Sequence, residues 1–147
     1  GFAELMNEEA VAIGATNSHF VNPHGLTADD HYVTAYDMYL IFNEALKYDL
    51  ISEIIHMTSY ETVYMDSAGN SKSLSFHTTN QYLNGTYKAP GQVTVIGGKT
   101  GTTSAAGSCL ILLARDTAGN PYISVILKAT ARDVLYEQMT RLLNVIA

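Results

Sequence analysis

The sequence has a single cysteine and no tryptophan among its 147 residues. Cys109 has no internal partner for a disulfide, and because it stands in an apolar run we expect a buried, unreactive thiol. No apolar run approaches the roughly 20 residues that a membrane-spanning helix requires. We therefore expect neither a membrane anchor nor a signal peptide within these residues.

Basic residues are also scarce. Eight lysines and arginines stand against 14 aspartates and glutamates, which gives a formal net charge of −6. Nucleic acid is not an expected partner, because its phosphate backbone requires a basic face and no basic cluster occurs here. A hydrophobic content of 47% with 15% charged residues is typical of a folded globular chain, and the length suffices for one core.

Several common catalytic and cofactor motifs are missing. The sequence contains no G-x-S-x-G, and Val93 stands where a GxxxxGK(S/T) phosphate loop would have its first glycine. The five histidines, among them His19, His24 and His31, lack HExxH or another metal-ligand spacing. We expect these histidines to bond to backbone, and we expect no metal and no cofactor.

Apolar residues recur at helical spacing in the first 57 residues. The pattern predicts helices over residues 2–13, from 34 to about 48, and over 50–56, with an irregular loop between the first two. Gly14 is a plausible stop for the first helix. Thr34 and Asp37 predict a capping box at the start of the second.

The period changes to that of strands after residue 57. The pattern predicts a β-hairpin from strands 58–65 and 72–78, and three further strands over 93–98, 108–115 and 122–128. A final helix, capped near Thr130, should bury Val134, Leu135, Met139, Leu142, Leu143 and Ile146. Helices followed by consecutive antiparallel strands and a terminal helix indicate an α+β fold.

The stretch from Val93 to Ala114 is the most unusual part of the chain, because it places Lys99 between glycines at a predicted strand end. Glycine weakens a strand unless something must approach the backbone closely. A bare K-T-G triplet would occur by chance in roughly a few per cent of chains of this length. The triplet alone is therefore only suggestive.

Three ordered segments carry a resemblance to a known family. They read NPHGL at 22–26, Y-x-TAYDM at 32–38 and GKTG-x-T-x-x-AG-x-CL at 98–110. In these segments the chain resembles the serine D-alanyl-D-alanine carboxypeptidases, the low-molecular-mass penicillin-binding proteins, in which K-T-G is one of three site elements. The resemblance implies a penicillin-binding/β-lactamase-like fold, a peptidoglycan stem peptide ending in D-Ala-D-Ala as substrate, inhibition by β-lactams, and an extracytoplasmic, cell-envelope location.

The resemblance also assigns roles to residues of the triplet and its neighbours. Lys99 would supply positive charge beside the nucleophile, while Thr100, with Thr102 or Thr103, would bond the substrate near its carboxylate. The backbone N–H of Thr102 would be an oxyanion donor. Gly101 would leave room for a substrate lying along the strand edge. The NPHGL segment would pack around the site without reacting.

Arg132 has two readings that the sequence leaves open. It stands at a predicted helix N-terminus, where a cation is unfavourable by roughly 0.3–1 kcal/mol. Asp133 would offset this cost through a local ion pair. Alternatively, the guanidinium would bind the C-terminal carboxylate of a substrate, as the resemblance implies.

The largest departure from the family is the absence of S-x-x-K and S-x-N. We expect residues 1–147 to be the C-terminal part of a catalytic domain, with a mainly helical portion over 1–57 and the hairpin, K-T-G strand, sheet and last helix over 58–147. Without the serine nucleophile the chain should be inactive alone. An exposed sheet surface would favour dimerisation. The alternatives are a β-lactamase-related hydrolase and a non-catalytic peptidoglycan-binding module.

Overall fold

Four helices and five strands form the part of the chain that the computed structural model describes, residues 1–146. In chain order they are α1 (Phe2–Ala12), α2 (Ala35–Ala45), α3 (Asp49–His56), β1 (Ser59–Met65), β2 (Ser71–His77), β3 (Thr94–Thr103), β4 (Gly107–Arg115), β5 (Pro121–Ala129) and α4 (Arg132–Leu143). The predicted α+β order is confirmed. Within these residues no helix combines the length and apolar character needed to cross a membrane.

The core lies between a three-stranded antiparallel sheet, in the order β3-β4-β5, and helix α4. Successive side chains of a strand point to opposite faces. Leu110 and Leu112 of β4 therefore face α4, where both are fully buried. Burial of such a side chain stabilises the fold by about 1.5–3 kcal/mol. The opposite face of the sheet lies under α2.

The buried side of α4 agrees with the prediction only in part. Leu135, Met139 and Leu143 are buried as predicted, whereas Val134 and Ile146 are half-buried and Ile146 lies beyond the end of the helix. Leu142 is 38% exposed, so its predicted burial is wrong, whereas Tyr136 is 1% exposed and was missed. A tyrosine is buried at low cost when its hydroxyl finds partners. The Tyr136 hydroxyl accepts from Gln81 N at 3.0 Å and donates to Thr79 O at 3.4 Å. Burial raises the pKa of this phenol.

Helix N-termini were predicted only in part. The Thr34 side chain accepts from Asp37 N, as expected of an N-cap. The Asp37 carboxylate does not return the bond; it is fully buried and accepts from Asn17 N at 2.7 Å and from Ser18 Oγ at 2.8 Å. It thereby ties the long loop to α2. At α4 the N-cap is Ala131, without a side-chain bond, so the predicted Thr130 cap is wrong.

The predicted burial of Cys109 is also wrong, since the thiol is only half-buried. The register between β4 and β5 shifts between Ser108 and Leu110, so Cys109 has no register partner on β5, although it pairs with Gly101 of β3. Its Sγ accepts from Lys128 N at 3.4 Å. Because side chains alternate along β4, Cys109 lies on the face opposite Leu110, where it lines a cavity beside α2.

The β1–β2 hairpin forms a separate two-stranded sheet and is almost fully exposed. Its antiparallel register pairs Tyr60 with Phe76 and Val63 with Ser73. Cross-strand partners share a face, and neighbouring positions lie on opposite faces. Tyr60 and Phe76 therefore make one aromatic face, while Val63 lies on the other.

Candidate functional site

Strand β3 carries the K-T-G triplet in its interior. The predicted strand ended at Gly98, but the observed strand continues to Thr103 because it pairs residue by residue with β4. Lys99 lies opposite Ile111 and Gly101 opposite Cys109. The hydrogen bonds between β3 and β4 along this length outweigh the low strand propensity of the glycines. The edge of β3 away from β4 has no strand partner among residues 1–146.

Two glycines of β3 are required for packing. A Cβ on Gly97 would lie 2.3 Å from Ile55 O of α3, and a Cβ on Gly98 would lie 2.0 Å from Ile111 O of β4. A bulge before Gly97 brings this edge against α3, where His56 Nδ1 lies 2.8 Å from Ile96 O. Gly101 differs, because a Cβ there would meet nothing within 4 Å.

The polar side chains of the triplet lie on or near the surface. Lys99 is exposed and its Nζ donates to Thr100 O. The Thr100 hydroxyl lies 2.6 Å from the hydroxyl of Thr79, a residue of the loop between β2 and β3. The backbone carbonyl of Thr79 accepts a hydrogen bond from the Tyr136 hydroxyl, and this bond fixes the position of Thr79. No local pattern marks Thr79, so only the fold could identify it.

Thr102 and Thr103 follow at the end of β3. Thr102 is exposed. The Thr103 hydroxyl accepts from Thr27 Oγ1 at 3.1 Å and from Ala106 N at 3.0 Å, which links the strand end to the loop that precedes α2. Thr103 therefore positions that loop beside the triplet.

The NPHGL segment forms a closed turn immediately before Thr27. Asn22 accepts from Gly25 N and donates to Leu26 O, while His24 Nδ1 accepts from Leu26 N. The other loop histidines also contact backbone: His19 Nδ1 lies 2.7 Å from Asp30 O, and His31 Nδ1 accepts from Val21 N. The predicted backbone bonding of these histidines is confirmed.

Two cavities meet at Lys99 and Thr100. The first, which we call the outer groove, has a volume of about 710 Å³ and lies between α3, the β1–β2 hairpin, residues 77–80 and the free edge of β3. The second, which we call the inner cavity, has a volume of about 620 Å³ and lies between α2, the NPHGL loop and the sheet. Cys109 and the apolar side chains of Ile111 and Leu127 line the inner cavity.

Arg132 is exposed at the first residue of α4 and lines neither cavity. Within residues 1–146 no ion pair joins Arg132 to Asp133, so the structure does not support the alternative in which Asp133 offsets the charge of Arg132. Burial raises the pKa of Tyr136, and the positive charge of Arg132 acts in the opposite direction and lowers it. The predicted site residues that the structure brings together are those that line the inner cavity, with Thr79 beside Thr100: Lys99, Thr100, Gly101, Thr102 and Thr103.

Similar proteins are known in sequence and in structure. A family model described as D-alanyl-D-alanine carboxypeptidase matches residues 1–131. DacF of Bacillus subtilis (strain 168) is 34% identical over 145 residues, and DacC of Escherichia coli (strain K12) is 33% identical over 145 residues; each match covers 97% of the chain but 34% and 32% of the relative. Both are named D-alanyl-D-alanine carboxypeptidases.

Among solved structures, the Streptomyces K15 DD-transpeptidase matches with a TM-score of 0.85 and 25% identity, over 97% of the chain and 52% of that protein. A D-alanyl-D-alanine carboxypeptidase from Mycobacterium tuberculosis H37Rv matches with a TM-score of 0.76 and 23% identity, over 97% of the chain and 51% of that protein. The chain thus spans about a third of the curated relatives and about half of the solved ones.

Proposed function

The chain belongs to the D-alanyl-D-alanine carboxypeptidase family, and on this basis we propose that it forms the substrate-binding, C-terminal part of the catalytic domain of such an enzyme. The proposed reaction is removal of the terminal D-alanine from peptidoglycan stem peptides through a serine acyl-enzyme, which β-lactams would trap. The enzyme would work outside the cytoplasmic membrane, at the cell envelope. The proposal needs no metal and no cofactor.

The observation that carries this proposal is the free edge of β3 beside Lys99 and Thr100. An extended peptide can add to an exposed sheet edge through main-chain hydrogen bonds. The open space at Gly101 would let that peptide lie against the strand. Lys99 would then supply positive charge beside the nucleophile, and Thr100 would bind the peptide near its C-terminal carboxylate.

The backbone N–H of Thr102 would donate to the scissile carbonyl as negative charge develops on its oxygen. Loss of one such donor typically lowers kcat by about 10²–10³-fold. Thr103 would support substrate binding by fixing the loop that carries Thr27. We retain Arg132 as a proposed carboxylate contact, although its side chain lines neither cavity.

The nucleophile must come from outside this chain. No serine here is followed by lysine at the third position or by asparagine at the second. Lys99 cannot act in its place, because the proposed acyl-enzyme needs an oxygen nucleophile activated by a base. We therefore propose that residues 1–147 alone are inactive.

Labelling with a fluorescent penicillin tests the proposed function. We expect the full-length protein that contains this chain to be labelled covalently and the 147-residue chain to remain unlabelled. Labelling of the short chain would contradict the missing nucleophile. Rapid loss of the label from the full-length protein would favour a β-lactamase, and an upstream sequence without S-x-x-K and S-x-N would favour a binding module.

We also propose that the isolated chain dimerises through exposed sheet surface. Strand β5 ends the sheet and leaves one edge unpaired among residues 1–146. Unpaired strand edges promote pairing with another chain. We expect sedimentation velocity to show a concentration-dependent dimer of the 147-residue chain. A monomer at every concentration up to solubility would contradict this expectation.

A further inference from the structure

The outer groove has a wall of exposed apolar side chains that the proposed catalytic roles do not use. Leu50 and Ile54 of α3 are 64% and 51% exposed, and Tyr60 and Phe76 of the hairpin are each 53% exposed. All four line the groove. Apolar side chains gathered on the two walls of one groove are typical of a ligand site and unusual for surface that stays in water.

The inner end of the groove is polar. Thr100 and Thr79 lie there with their hydroxyls 2.6 Å apart, next to Asn80. Asn80 is 2% exposed, and its Oδ1 accepts from Tyr82 N at 3.1 Å. Its Nδ2 has no hydrogen-bond partner within residues 1–146. A buried donor without an acceptor is costly, so this amide is a suitable contact for a ligand oxygen.

The direction of the proposed substrate places its terminal residue at this end. A peptide that pairs antiparallel with β3 runs from Thr103 toward Thr100. If its scissile carbonyl faces the Thr102 N–H, the following residue lies one strand position, roughly 3.4 Å, further along, opposite Gly101, and its terminal carboxylate extends toward Thr100. Thr100 lies where the outer groove opens, so the carboxylate end of the leaving residue meets the mouth of that groove.

We propose that the outer groove is the subsite for the leaving residue, and that it accepts D-amino acids with large apolar side chains as well as D-alanine. This inference rests on the proposed function. Asn80 and Thr100 bind oxygens of the leaving residue, and the wall formed by α3 and the hairpin contacts its side chain. Glu53, which also lines the groove, disfavours an acidic side chain there.

Cleavage of matched peptides by the full-length enzyme tests this subsite. The substrates are diacetyl-L-lysyl-D-alanyl peptides that end in D-alanine, D-leucine or D-glutamate, and the readout is kcat/KM for release of the terminal amino acid. We expect D-leucine to be released with a kcat/KM about tenfold above that for D-alanine, since added methylenes in an apolar pocket give gains of this order. D-Glutamate should be the poorest.

Variants inside the outer groove and on the other face of the hairpin distinguish an effect on the subsite from a general loss of activity. Phe76→Ser should bring the leucine-to-alanine ratio to about one, and Leu50→Ser should do the same from the opposite wall. Val63→Ser is the matched control, since Val63 is 63% exposed on the other face of the hairpin. This control should keep the ratio, and circular dichroism should show that all three variants are folded.

The outcomes distinguish the inference from the proposed function. If D-alanine is released but D-leucine is released no faster, the subsite is wrong and the proposed function stands. A ratio that falls equally in Val63→Ser would also overturn the subsite. If neither peptide is cleaved and penicillin does not label the protein, the proposed function fails and the subsite with it.

Discussion

Replacement of Gly98 by alanine is expected to destabilise the sheet by about 3 kcal/mol or more. The new Cβ would lie 2.0 Å from Ile111 O and 3.0 Å from Leu112 Cδ2. Overpacking typically costs about 1–3 kcal/mol, and a clash with backbone cannot be relieved by a side-chain rotamer. Since whole domains are stable by only about 5–15 kcal/mol, this is a large fraction. Urea unfolding of the full-length protein measures the change.

Gly101→Ala is the matched control for this effect. A Cβ at Gly101 meets nothing within 4 Å, so the free energy of unfolding should change by no more than about 0.5 kcal/mol. The same methyl group would stand where we propose that the substrate backbone lies, and penicillin acylation should slow by about 100-fold. Equal stability losses in the two variants would contradict the packing argument. Normal acylation of Gly101→Ala would contradict the proposed edge binding.

Replacement of Tyr136 by alanine is expected to cost about 3–5 kcal/mol, the range for removal of a buried aromatic ring. The ring stacks on Tyr87 at 4.7 Å between centroids and meets Tyr82 edge-on at 5.3 Å.

Tyr136→Phe keeps the ring and should cost about 1–3 kcal/mol, because Gln81 N loses a buried acceptor. Acylation should also slow in Tyr136→Phe, since Thr79 loses the contact that holds it beside Thr100.

Tyr122→Phe provides the control for loss of a hydroxyl. Tyr122 is 38% exposed and donates to Asp116 Oδ2 in a surface turn. Its removal should change the free energy of unfolding by no more than about 0.5 kcal/mol and leave acylation unchanged. If Tyr136→Phe behaves like Tyr122→Phe in both measurements, Tyr136 does not position the site.

Local chemistry determined much of what the sequence predicted. Periodicity identified every helix and strand and placed their bounds within a few residues, except for the end of β3, because burial of one face imposes a period on the chain. The errors occurred where distant parts of the chain decide the outcome. Strand β3 runs past Gly98 because β4 pairs with it, and Asp37 turns from its own helix terminus to Asn17 and Ser18.

The Lys99-Thr100-Gly101 triplet marks the site in the sequence itself, because lysine and hydroxyls between glycines form a local pattern. Tertiary structure alone decided what surrounds the triplet. Thr79 lies 21 residues away along the chain yet touches Thr100, and the hydroxyl of Tyr136 fixes Thr79 from the core. Such contacts depend on side-chain packing between elements distant in sequence, which no short-range period encodes. The outer groove follows from the same packing, since α3, the hairpin and β3 make its walls only once they are folded together.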